Sequence, residues 1–134
     1  TRVLELEGRL DLSRLRIHRF GRSQVLAGDP ADFVAGLRVL LDPARAEAVD
    51  GHVRWVIVDG PTCGLRLRGQ VAIPTDGADA DDEIRLTHDA LADLLGGRVT
   101  LDEALAQDRV EFELAGDPGR IRRILACFDV DAFR

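Results

Sequence analysis

The chain has 134 residues, a length that fits one domain able to bury about two thirds of its unfolded surface without disulfide or metal staples. Its 18 basic residues stand against 24 acidic ones, a net charge of −6 that repels a phosphate backbone, so nucleic acid is not an expected partner. The two cysteines, Cys63 and Cys127, have no metal or redox spacing, and every apolar run falls short of the roughly 20 residues that span a bilayer.

All the basic residues are Arg, with no Lys, Asn, Tyr or Met, a bias that suggests a GC-rich bacterial coding sequence. The start, Thr1-Arg2-Val3, lacks Met and a signal peptide's apolar centre; a trimmed or excised cytoplasmic domain is expected, with an exported precursor as the alternative.

Residues 3–7 and 15–20 alternate apolar and polar side chains, so residues 1–28 are expected to form an N-terminal extension carrying a strand or hairpin. Asp29-Pro30 then opens a helix: Asp29 offers an N-cap, Pro30 suits the first helical position, and Phe33, Leu37, Leu40 and Leu41 follow at helical spacing. Asp42-Pro43 repeats the device, predicting a second short helix through Val49. Residues 53–59, 65–68 and 71–73 read as an antiparallel meander in which Leu65 and Leu67 share one face and Arg66 and Arg68 the other.

A Gly and Asp-rich loop over residues 75–82 is expected to be solvated. Its acidic run does not fall into the register of a calcium hand. A strand over residues 83–86 leads into the helix beginning near Asp89. Thr100 and Glu103 form a capping box for the next helix. Val110, Phe112 and Leu114 alternate with Glu111 and Glu113 as another strand. Asp117-Pro118 starts the last helix, whose stripe is Ile121, Ile124, Leu125 and Phe128, with Arg120, Arg122 and Arg123 expected in water. The fold class is therefore α+β, a mainly antiparallel five-stranded sheet with helices on one face.

The stretch Ile84-Arg85-Leu86-Thr87-His88-Asp89-Ala90-Leu91-Ala92-Asp93-Leu94-Leu95-Gly96-Gly97, followed by Thr100-Leu101-Asp102-Glu103-Ala104-Leu105 and Gly116-Asp117-Pro118, resembles the sterol carrier protein 2-like family. The version most similar is the C-terminal domain of alkyl sulfatases. The resemblance runs from about Asp29 to Val130, within a domain expected over residues 29–134; it departs in a longer segment between Arg109 and Asp117, in Gln107-Asp108, and in residues 1–28, which have no counterpart. It implies an apolar cavity between sheet and helices that takes a lipid, sterol, acyl chain or other hydrophobic small molecule. It implies no catalysis, no cofactor and no metal.

The side chains expected to line that cavity are Trp55, Leu67, Leu91, Leu95, Leu105, Ile124 and Phe128, each of which is equally suited to ordinary core packing. His18, His52 and His88 are dispersed, Cys63 is expected in a turn between Thr62 and Gly64 with no assigned base, and neither set forms a catalytic or metal constellation. Two alternatives stand beside the carrier reading. One is a dimerisation or sensing domain of a larger protein, with residues 1–28 as the assembly element of a homodimer. The other is a small biosynthetic enzyme using His52, His88 or an aspartate. No stable membrane insertion is expected.

Overall fold

In the computed structural model, residues 20–113 and 118–134 are described; the expected N-terminal hairpin lies outside them. Five strands, β1 (Gly51–Ile57), β2 (Thr62–Arg68), β3 (Val71–Thr75), β4 (Asp82–Leu86) and β5 (Val110–Glu113), form one sheet in the order β3-β2-β1-β4-β5. The pairings β1–β2, β2–β3 and β4–β5 are antiparallel, and β1–β4 is parallel, with Trp55 beside Ile84. The expected meander is present.

Alternation divides the sheet into two faces. Val53, Trp55, Ile57, Leu65, Leu67, Ile84, Leu86 and Val110 are buried on the inner face, where they join one core with side chains of the helices. On the other face Arg66, Arg68, Val71 and Ile73 are exposed, while residues 76–81 fold over His52, Arg54 and Gly64. Gly64 is required for that approach, because a Cβ there would sit 2.2 Å from the Thr75 hydroxyl and 2.6 Å from the Gly77 Cα.

The helices are α1 (Arg22–Ala27), α2 (Pro30–Gly36), α3 (His88–Leu95), α4 (Leu101–Ala106) and α5 (Pro118–Leu125). Asp29 caps α2 by accepting from the Ala31 amide at 3.0 Å, Thr87 caps α3, and Thr100 with Glu103 closes the expected box on α4. A 3-10 turn, Leu37–Leu40, continues α2, and a second, Asp131–Phe133, ends the chain. Among the described residues no helix is long and apolar enough to cross a membrane.

Four expectations are corrected. Residues 43–48 form turns instead of a helix: Asp42 accepts from Ala44 at 3.1 Å, but Ala46 is the sole buried side chain, so no apolar stripe anchors a helix. β2 begins at Thr62, which places Cys63 in a strand and not in a turn. The acidic loop is solvated only up to Asp81; Asp82 is 0% exposed, held by Arg120 Nε and Nη2 at 2.8 and 2.9 Å, and Glu83 is buried between Arg54 and Arg85. Arg120 is thereby half-buried, whereas Arg122 and Arg123 remain exposed. The helix α1 was not anticipated; Val25 fills its contact with the core.

Candidate functional site

The site begins with α3. Thr87 fixes its start, accepting from the Ala90 amide at 3.1 Å, and Asp89 complements the free amides of the first turn. Leu91, Leu94 and Leu95 recur at helical spacing, Ala90 and Ala92 are also fully buried, and α1 packs against this helix. Arg22 of α1 and Arg109, just before β5, converge on Asp93, with Arg109 Nη2 2.9 Å from its carboxylate. Burial alone would push the Asp93 carboxyl up. The hydrogen bonds and charges of Arg22 and Arg109 outweigh it and hold the group below the ordinary carboxylate range. His88 adds a second tie to α1 through its ring Nε2, 2.7 Å from the Val25 carbonyl.

Gly96 and Gly97 end α3, with Gly97 at φ 75° and the Arg98 amide donating back to the Asp93 carbonyl at 2.8 Å. Facing that end is the last segment of the chain. After α5, residues 127–129 are zipped to residues 40–42: the Asp42 amide donates to the Cys127 carbonyl at 2.8 Å and the Asp129 amide to the Leu40 carbonyl at 2.7 Å. The chain then closes over β1 with the turn Asp131–Phe133, whose Phe133 ring lies 6.4 Å from that of Trp55.

Between residues 94–97 and 130–132 lies a narrow cavity of ≈ 100 Å³. Leu94, Leu95, Val130 and Ala132, which wall it, are all core side chains of at most 8% exposure. Three wider grooves, of 360 to 520 Å³, lie elsewhere: one at residues 39–43 with Asp129 and Arg134, one at Val58, residues 85–89 and 108–111, and one at residues 50–52, 66–68 and 81. Charged side chains contribute to all three, as Asp131 does to the narrow cavity, and none of the four opens onto Trp55, Leu91, Ile124 or Phe128.

The structure brings the expected lining residues together. Trp55, Leu67, Leu91, Leu95, Ile124 and Phe128 belong to one buried cluster, and Leu105 packs against it half-buried. Leu95 reaches the narrow cavity and Leu67 borders the polar groove at residues 50–52. Sequence reasoning missed Val130, Ala132 and Phe133, whose run is too short for a periodic signal.

The nucleophile and metal candidates stand apart. Burial, reinforced by the charge of Asp29, pushes the Cys63 thiol up to about 11. Cys127 is also raised by burial. His52 lies on β1, on the opposite face from Trp55, with Nε2 2.6 Å from the Thr75 hydroxyl. Among the described residues no group of three or more His, Cys, Asp or Glu side chains is placed to hold a metal ion.

Residues 21–133 match the family described as "Alkyl sulfatase C-terminal". A solved structure of a double mutant of the sec-alkyl sulfatase PisA1 is 26% identical with a TM-score of 0.69, over 78% of this chain and 17% of that one. The stereoselective inverting sec-alkylsulfatase Pisa1 from Pseudomonas sp. is 24% identical with a TM-score of 0.64, over 77% of this chain and 17% of that one. The ubiquinone synthesis protein UbiJ-SCP2 shares the fold at 14% identity, with a TM-score of 0.55, over 72% of this chain and 90% of that one. No curated protein matches in sequence. The chain thus spans about a sixth of the length of the sulfatases it resembles.

Proposed function

Because the chain belongs to the alkyl sulfatase C-terminal family, we propose that it is an accessory domain that takes the hydrocarbon part of an alkyl, acyl or sterol-like compound into its interior. The observation that carries this reading is the narrow cavity at the end of α3, walled by the core side chains of Leu94, Leu95, Val130 and Ala132 together with Gly96, Gly97 and the exposed Asp131. Leu94 and Leu95, which wall it, belong to the same buried cluster as Trp55, Leu67, Leu91, Ile124 and Phe128, against which Leu105 packs. Apolar area supplies the affinity, at about 25 cal/mol per Å² removed from water. In this reading the domain contributes no catalytic group, works in the cytoplasm, and presents its guest to a separate catalytic unit.

The test is a titration of the ¹⁵N-labelled domain with 1-octanol. Amide shifts concentrated at residues 94–97 and 130–133 are expected. Shifts absent from those residues, together with native mass spectra of protein free of any guest, refute the reading.

A second reading is favoured by the tightness of the interior, where Trp55, Leu91 and Phe128 are at most 1% exposed. In it the domain is a docking or dimerisation unit with no guest of its own. Light scattering separates the two: a monomer that binds 1-octanol removes the second, and a dimer that binds nothing removes the first.

A further inference from the structure

Among the described residues three buried side-chain polar atoms lack a hydrogen bond: His52 Nδ1, Arg54 Nε and Trp55 Nε1. Arg54 Nε is answered by the Glu83 carboxylate at 3.1 Å, and His52, though its Nδ1 is unpaired, is anchored through its other ring nitrogen, 2.6 Å from the Thr75 hydroxyl. Trp55 differs, because the indole N–H is the only polar group on its side chain and the side chain is 0% exposed. Its cross-strand neighbours, Cys63 and Ile84, offer no oxygen from their side chains. A buried donor left unpaired forfeits its hydration with nothing in exchange, so such atoms call for a specific account.

The surroundings supply one. The Phe133 ring packs against the indole at a centroid distance of 6.4 Å and a tilt of 46°. Phe133 is the last residue of a three-residue turn, held locally by its amide donating to the Val130 carbonyl at 3.0 Å. Its neighbour Ala132 walls the narrow cavity together with Leu95 and Val130. The ring packed on the indole is thus the chain neighbour of a cavity-wall residue, while neither Trp55 nor Phe133 itself lines the cavity.

We infer that Trp55 Nε1 is the donor that recognises the guest, and that the guest is a hydrocarbon chain bearing a neutral acceptor oxygen, such as a ketone, ester or ether, which reaches the indole by displacing Phe133. This rests on the reading that the cavity at the end of α3 admits a chain. A carboxylate or sulfate is disfavoured at this depth, because the cation on the inner face, Arg120, is already engaged by Asp82. The oxygen is selected and the chain supplies the area.

The test uses the single indole resonance of this one-Trp chain. The probes are 2-heptanone and 1-chlorohexane, a chain of similar length whose chlorine is a poor acceptor. With 2-heptanone the indole proton moves downfield, and with 1-chlorohexane it does not. Trp55→Phe lowers the affinity for 2-heptanone about tenfold, the usual worth of one neutral hydrogen bond, and leaves 1-chlorohexane unchanged. Phe133→Ala raises the affinity for both. If 2-heptanone binds while the indole proton of the unaltered protein stays put, or the ratio of the two affinities survives Trp55→Phe, the donor role is overturned and the carrier reading stands. If neither probe binds the unaltered protein or Phe133→Ala, both fall together.

Discussion

Whether α5 rests directly on the sheet or stands off it decides how much room the interior has, and Gly51 reports on this. A Cβ built on Gly51 lies 2.4 Å from Ile124 Cδ1 and 3.3 Å from Cγ1, so the end of the Ile124 side chain occupies the space a methyl group would need. Gly51→Ala therefore overpacks the contact. Turning Ile124 out of its rotamer costs about 1–3 kcal/mol, offset by about 0.4–1 kcal/mol because alanine narrows the unfolded ensemble. The net loss is about 0.5–2 kcal/mol.

Ile124→Val removes the clashing Cδ1 and by itself costs about 0.5–1.5 kcal/mol. In the double variant the methyl group introduced by Gly51→Ala fills the space that Cδ1 vacated, so its loss should fall below the sum of the singles by about 1–2 kcal/mol. Guanidinium unfolding followed by the fluorescence of the buried Trp55 measures all four proteins. Additivity within about 0.3 kcal/mol would show that α5 and β1 do not touch at this point, and the interior would then hold a gap wide enough for a guest without moving the C-terminal turn.

Three other perturbations test the surrounding structure. Asp93→Asn weakens the clasp of Arg22 and Arg109, with an expected loss of about 1 kcal/mol at neutral pH. Since the folded carboxyl titrates below the unfolded value of about 3.9, its contribution is full above that value and disappears as pH falls through the lower folded one. Unfolding curves from pH 6 down to pH 2 should therefore converge for the two proteins, and a constant difference refutes the assignment. Arg120→Met should cost more than Asp82→Asn, about 3–5 against about 1–3 kcal/mol, because the first strands a fully buried carboxylate whereas the second acts on a guanidinium that is already 40% exposed. Equal losses in denaturation would contradict the burial of Asp82. With its thiol raised from 9.0 to about 11, Cys63 in the native protein should react with iodoacetamide at pH 8 about 100-fold more slowly than in the unfolded chain, and mass spectrometry of the labelled peptide checks this.

The parts legible from sequence were those fixed by neighbours in the chain. Asp29-Pro30, Thr87 and the Thr100–Glu103 box are local devices, and each caps a helix. Alternation placed Leu65 and Leu67 on the inner face for the same reason. The misreadings came where a partner lies far away. Asp82 looked like one more loop acid until Arg120, 38 residues on, gave it a reason to be buried. Cys63 looked like a turn residue because Gly64 follows it, yet that glycine lies within a strand to let residues 76–81 cross above. Asp42-Pro43 carried a helix's opening signal without the apolar stripe that would hold the helix down.

The same division applies to the site, and it bears on how a guest can enter. Most of the large apolar residues were legible as a group because they sit on periodic elements, whereas Phe128, read as part of the last helix's stripe, lies past the end of α5 in a bridge to Leu41. Their cover was not, because the turn Asp131–Phe133 is a single short unit whose amides, freed on opening, water can satisfy. The largest single cost of opening it is the exposure of the Phe133 side chain, about 1.5–3 kcal/mol, beside that of the buried Ala132 methyl. Each methylene of a guest returns about 0.8 kcal/mol, so a chain of four or more carbons offsets the exposure of Phe133, and every further carbon that finds an apolar wall tightens binding about fourfold. A cavity of ≈ 100 Å³ holds only the first few of those carbons, at about 30 Å³ for each small group. The rest must occupy the volume that Phe133 leaves, which brings the chain against Trp55 and makes the indole the place where a carrier of this kind would tell one guest from another.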